Sequence, residues 1–127
     1  MKNKNDPIQN KKFITATLVV RVDKTYRSGM SAAQAYDCAR WAWKANLARA
    51  SNCGLVLAVY KGKVIGAYRP TKWDVAVNIK PPQGKSAKQI AQDVKEKRVA
   101  FEGVDISKSS PFVGRNIVMW QNPIRYL

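Results

Sequence analysis

The sequence contains no histidine. That removes the most common general base and every zinc site built on imidazole. Acids are scarce: 8 Asp+Glu stand against 23 Lys+Arg, a formal charge of +15 on 127 residues. The only cysteines are Cys38 and Cys53, too few for a disulfide framework and, without histidine, a poor metal set. No apolar run approaches the roughly 20 residues that span a bilayer. The opening MKNKNDPIQNKK lacks the apolar centre of a secretory signal. Neither the phosphate-loop pattern G-x-x-x-x-G-K-S/T nor the nucleophile elbow G-x-S-x-G occurs. Asp93 and Glu96 are expected to share an exposed helical face with Lys97, and Glu102 and Asp105 to fall on opposite sides of a strand. Neither pair has the arrangement of a general acid and base. The expectation is a protein that is not an enzyme, with no cofactor, no metal and no membrane, in the reducing cytoplasm.

What the chain does have is enough apolar content, 46%, to fold in spite of its charge. A chain of this length buries about two thirds of its unfolded surface and makes one domain. Residues 1–12, with Lys2, Lys4, Lys11 and Lys12 against Asp6, read as a flexible basic arm. Residues 13–127 read as a single α+β domain. Residues 61–98 carry ten basic side chains against three acidic ones, so the positive charge is concentrated there as well. A balance this lopsided favours an anionic partner: a nucleic acid, a nucleotide or an acidic protein surface.

The run FITATLVVRV, Phe13 to Val22, predicts a strand with one buried face. Ser31, with Gln34 three residues on, opens a helix as a capping box. No glycine or proline interrupts the chain between Ser31 and Gly54, which predicts one long helix over about 31–51. Tyr36, Arg40, Trp43 and Leu47 form a stripe on that helix, with Trp41 on another side. Cys38 and Cys53 are then separated by roughly 22 Å at 1.5 Å per residue, so a disulfide between them requires the helix to break. Leu55–Tyr60 and Val64–Arg69 read as a hairpin with Lys61 and Lys63 at its tip. Gly66 permits a bulge or a close backbone approach. Pro70 is expected to stop the strand, leaving Trp73 in an exposed turn and 74–79 as a further strand. Ser86 caps a short helix from Ala87 to Lys97, and Arg98 to Ile106 is a strand. Phe112 to Trp120 mixes loop and strand, and the tail NPIRYL ends in an edge strand. The expected architecture is a strongly bent, mainly antiparallel sheet or small half-open β-barrel with the long helix packed against it.

Six segments occur in a fixed order: RSGMS (27–31), YDCAR (36–40) with the later Trp43, LAVYKGKVIGAYRPTKW (57–73), RVAFEG (98–103), FVGRNI (112–117) and QNPIRY (121–126). They cover most of the chain from Val19 onward. Together they resemble the uncharacterised C-terminal module of LEM-like GIY-YIG nuclease proteins of bacteria and archaea, here without the nuclease domain. The resemblance implies a domain identity and no activity. The chain departs from it at Trp41, where members have a small residue, and at Val118-Met119-Trp120 before the NPI. At the level of fold, a hairpin with an internal glycine followed by a tryptophan is similar to the PUA-like barrels of the EVE, ASCH and YTH group. That likeness implies a base held in an aromatic-lined cleft.

The candidate ligand-binding residues form three groups. Tyr36, Arg40 and Trp43 build one wall of a cleft, Arg40 offering a planar donor fork to phosphate or a base edge. The alternative is that Tyr36, Trp43 and Leu47 are core and Arg40 is a strut on Asp37 or Glu102. Lys61, Lys63, Arg69 and Lys72 interleave with Tyr60, Tyr68 and Trp73, a composition suited to single-stranded nucleic acid. The alternative there is a solvated hairpin edge. Arg115, Asn116, Gln121, Asn122 and Arg125 are a second polar cluster, in which Asn122 before Pro123 is either a turn device or a reader of a base edge. The function expected first is a non-enzymatic binding protein for nucleic acid or a nucleotide-like anion. Two others are carried: a phage-type defence inhibitor that sequesters a small nucleotide signal, and an interaction module docking on an acidic protein partner. The last predicts an exposed aromatic patch around Trp41, Trp73 or Trp120.

Overall fold

The alternating run near the N-terminus forms β1 (Thr17–Arg21). The computed structural model describes residues 15–119 and 121–127. The basic arm, the start of the predicted strand at Phe13 and Ile14, and Trp120 lie outside the described residues. β2 (Trp41–Trp43), β3 (Leu55–Tyr60), β4 (Lys63–Val75), β5 (Val99–Asp105) and β6 (Ile124–Tyr126) complete one sheet, in the order β2-β5-β4-β3-β1-β6. All neighbours are antiparallel except β1 and β3. The sheet curls strongly into a half-barrel, so the α+β class and the bent, mainly antiparallel sheet are as expected. The parallel pair exists because the chain leaves β1 and crosses over before returning as β3.

Three short helices accompany it: α1 (Ala32–Arg40), α2 (Leu47–Ser51) and α3 (Ala87–Lys95). The capping box forms as expected. The Gln34 N–H donates to Ser31 Oγ at 3.2 Å, and the Ser31 N–H to Gln34 Oε1 at 2.9 Å. The single helix over 31–51 does not form: α1 stops at Arg40, and Trp41–Trp43 pairs with β5, Trp41 opposite Ala100 and Trp43 opposite Val99. The reason is where Trp41 goes. As a strand residue it is buried among Ala76, Ile79, Ala100 and Ile90. Its indole N–H donates to the Ile79 carbonyl at 3.2 Å. Burying an indole is worth about 4–6 kcal/mol by area, whereas helix propensities differ by tenths of a kcal/mol per residue. The helix restarts under a new cap, Asn46 Oδ1 accepting from the Arg49 N–H at 2.9 Å. Although the helix breaks, Cys38 and Cys53 remain free thiols.

A second correction concerns β1, which is buried on both faces. Leu18, Val20 and Val22 pack with Ala39, Ala50, Tyr68 and Phe101 on the helix side. Val19 packs with Leu57, Val59, Val64, Ala67 and Ile117 on the other. Phe112, Val113, Met119 and Leu127 roof that second face, a long-range contact that no alternation pattern encodes.

β4 is the third correction: it runs through Pro70 to Val75 and pairs with β5 along its second half. The ladder shifts register between Pro70 and Lys72, and Pro70 lies opposite Gly103. Proline has no N–H to give the ladder, and a side chain on Gly103 would collide, its Cβ 2.6 Å from the Arg69 carbonyl oxygen. The Gly103 N–H donates instead to the Tyr36 hydroxyl at 2.9 Å. Trp73 is accordingly not in an exposed turn but half-buried in the strand, its ring 4.9 Å from Phe101. The expected strand over 74–79 becomes the end of β4 and a 3-10 turn, Ala76–Asn78. Asp93 on α3 is buried rather than exposed, held by Lys85 at 2.9 Å, Gln89 at 2.9 Å and Arg98 at 3.6 Å.

Candidate anion-binding surface

Three stretches of chain meet at the end of the sheet where β3 turns into β4. The turn itself is Lys61-Gly62, with φ of 49° and 79° at its two central residues, the positive values that a tight hairpin needs. Lys63 is therefore already a strand residue, opposite Tyr60. The Lys61 N–H donates to Asp23 Oδ1 at 2.9 Å, which pins the turn after β1 and brings Lys24 alongside. On the other side Lys63 bridges to Asn116. Three backbone bonds zip that contact: Val64 N–H to the Arg115 carbonyl at 2.9 Å, Gly114 N–H to the Val64 carbonyl at 2.8 Å, and Ile117 N–H to the Gly62 carbonyl at 2.8 Å. The tail arrives at the same end. Arg21 donates its N–H to the Pro123 carbonyl at 2.8 Å and its guanidinium to the Gln121 carbonyl at 3.2 Å. Asn122 Oδ1 accepts the Ile124 N–H at 3.1 Å, the turn-device geometry.

The folded chain thus gathers Lys61 and Lys63 with Arg115 and Asn122, residues that lie about 50 to 60 positions apart in sequence. Lys24, Lys61 and Lys63 are exposed, and Arg21 and Arg115 half-buried. Arg125 stands opposite Val19, and its guanidinium donates to the Val118 carbonyl at 2.6 Å, tying the roof over β1. Lys24 was not among the sequence candidates. Its only local sign is the charged turn after the strand; the parallel β1–β3 pairing and the Asp23 bond are what set it beside the hairpin.

The remaining candidates lie elsewhere. Arg69 is six residues beyond Lys63 on β4, about 20 Å at strand rise, and Lys72 is farther still. Both are exposed, and Lys72 stands opposite Glu102. Trp73 is packed on Phe101, and Tyr68 is buried. Tyr36, Arg40 and Trp43 are engaged internally. Arg40 is 7% exposed; its Nε contacts Asp37 Oδ1 at 2.8 Å and its Nη1 donates to the Lys80 carbonyl at 2.6 Å. That is the strut arrangement rather than a cleft wall. The Tyr36 ring sits 5.5 Å from both Tyr68 and the Arg40 guanidinium, and the Trp43 indole donates to the Ala39 carbonyl at 2.7 Å. Of the tryptophans proposed for an exposed aromatic patch, Trp41 is buried and Trp73 half-buried, while Trp120 lies outside the described residues.

Ion pairs between described residues lie away from the hairpin. Asp37 takes Arg40, Asp93 takes Lys85 and Arg98, and Glu96 takes Lys44 at 3.6 Å and Arg98 at 3.2 Å. The Gln92 amide, with smaller help from Arg98 and Lys44, holds the Glu96 carboxyl below its ordinary range. Asp23, the acid in contact with the hairpin end, is turned to a backbone N–H. Among the described residues no carboxylate pairs with the side chains of the exposed Lys24, Lys61 and Lys63, so these three keep their field. Exposed ammonium groups of this kind act as mobile point charges toward phosphate and carry no base information. Among the described residues no group of three or more Cys, Asp or Glu side chains gathers as a metal site, and no helix is long and apolar enough to cross a membrane. No family model, curated protein or solved structure matches the chain.

Proposed function

We propose that the protein is a non-enzymatic, cytoplasmic binder of nucleic acid that grips the phosphate backbone with the hairpin end of its sheet. In this reading the chain carries a module like the one that follows GIY-YIG nucleases. The observation that carries the proposal is the backbone convergence that brings the exposed Lys24, Lys61 and Lys63 to one end of the sheet, where Asp23 accepts a backbone N–H. Base stacking plays little part, because Trp41 is buried and Trp43 and Trp73 are packed into the fold. Recognition by phosphate contact alone is tolerant of sequence and steeply dependent on salt. About three neutralised phosphates give a slope near −3 in log K against log salt on duplex DNA, roughly a 40-fold loss between about 50 and 200 mM.

The test is fluorescence anisotropy with labelled duplex and single-stranded oligonucleotides over that salt range. The variant combines Lys24→Ala, Lys61→Asn and Lys63→Ala. Asparagine is chosen at Lys61 because it tolerates the positive φ of the turn. The expected result is a slope smaller by about one per lysine removed. No binding by the unmodified protein, or an unchanged slope in the folded triple variant, refutes the reading. Tight, salt-insensitive binding of mononucleotides with none of polymers would favour a sequestering protein instead.

A further inference from the structure

We propose that the hairpin end prefers an unpaired strand to a duplex, because Tyr26 and Tyr60 stack on one exposed base beside the phosphate-binding lysines. The inference rests on the phosphate-backbone reading and adds the class of nucleic acid to it.

The chain builds the tyrosine pair from two turns. The Val22 N–H donates to the Val59 carbonyl at 2.9 Å, so the end of β1 is tied to the end of β3. The Thr25 and Tyr26 N–H groups both return to the Val22 carbonyl, at 3.1 and 2.8 Å, which folds the chain tightly after β1. The Lys61 N–H closes the turn from the hairpin side, on Asp23 Oδ1. These bonds set the Tyr26 and Tyr60 rings 4.9 Å apart with their planes at 65°, an edge-to-face pair. Both residues pack against the core cluster on the helix side and are half-buried, so part of each meets solvent.

The Lys61 ammonium lies 5.3 Å from the Tyr60 ring centroid. An aromatic surface and a phosphate-binding cation thus stand side by side. A nucleotide has the matching build, a flat base joined to an anion through one sugar. Trp73 is taken by Phe101, and the Tyr126 ring by the Arg49 guanidinium at 3.8 Å, so neither competes for the base.

Magnitude decides which strand gains. Stacking on an aromatic side chain is worth about 5- to 150-fold in affinity per base. For one base on two half-buried rings the lower end applies, about 5- to 10-fold, a small share beside the phosphate contacts. In a duplex the base is already stacked and paired, and drawing it out costs at least as much as the rings return. The tyrosines therefore add nothing to duplex binding and act only in the choice between strands. Stacking releases no counterions, so its share grows as salt weakens the phosphate grip.

The test is anisotropy over about 50–200 mM salt with three labelled ligands of equal length: oligothymidylate, a duplex, and a strand made of abasic sites. Oligothymidylate is expected to bind the full chain about 5- to 10-fold more tightly than the abasic strand, at the same salt slope. Its advantage over the duplex widens as salt rises. Tyr60→Leu keeps an apolar side chain against the core. It closes the gap between the two single strands and leaves the slope unchanged, whereas removing the lysines lowers the slope. Should that variant fail to fold, the two single strands on the unmodified protein decide alone. Equal affinity for them with a steep slope overturns the inference and leaves the phosphate reading standing. A gap that survives in folded Tyr60→Leu has the same consequence. No binding to any of the three ligands overturns both.

Discussion

Replacing Arg40 by alanine separates two chemically different roles for one side chain. The guanidinium is anchored at both ends, to Asp37 Oδ1 at 2.8 Å and to the Lys80 carbonyl at 2.6 Å, and its side chain is only 9% exposed. The second bond joins α1 to a segment 40 residues away, next to the Ile79 carbonyl that receives the Trp41 indole. Hydrogen bonds to a charged group are worth about 1.5–3 kcal/mol each. Cutting a buried ion pair costs about 3–5 kcal/mol when the orphaned partner stays dry. Here it does not stay dry: the Asp37 side chain is 30% exposed and Lys80 is exposed, so water takes over part of what the arginine supplied. The net loss is about 2–3 kcal/mol. Urea unfolding followed by tryptophan fluorescence reads it as a lower midpoint, by roughly 1–2 M, at unchanged m-value. Anisotropy at low salt, where the variant is still folded, shows oligonucleotide binding as in the unmodified protein. If Arg40→Ala instead keeps its midpoint and loses binding, Arg40 is a ligand contact and the assignment as a strut is wrong.

Gly103→Ala places a Cβ 2.6 Å from the Arg69 carbonyl oxygen and 2.9 Å from the Pro70 Cα, and neither is a side chain that can step aside. It destabilises by about 2–3 kcal/mol in the same urea assay, and a loss below roughly 0.5 kcal/mol would show that the bulge adapts freely. Glu96 sets a pH dependence. A carboxyl lowered on folding adds stability above its ordinary value of 4.5 and loses that contribution as pH falls through the folded-state value. Because the Gln92 amide is its first cause, Gln92→Ala moves the Glu96 midpoint up in an NMR titration and reduces the loss of stability in acid; an unmoved midpoint counts against that bond.

Local pattern was sufficient wherever the controlling contact lies within a few residues. The caps at Ser31 and Ser86, the Lys61-Gly62 hairpin, β3, β5 and the edge strand of the tail all appear where periodicity and turn chemistry set them. The basic character of the hairpin tip was equally legible, since two lysines flank its glycine. What only the tertiary structure decided has partners far along the chain. Trp41 left the helix for a cavity made by Ile79 and Ala100. β4 continued past Pro70 because Gly103, 33 residues later, leaves space for it. Arg40 stood out as a charge on an apolar stripe, but the choice between cleft and strut was made by the Lys80 carbonyl. The two polar clusters became one surface only when residues 114–117 zipped onto the hairpin. The physical reason is one of scale. Propensities are worth tenths of a kcal/mol and are written in neighbouring residues, whereas burying an indole or satisfying a guanidinium is worth several and is settled by whatever the rest of the chain brings within reach.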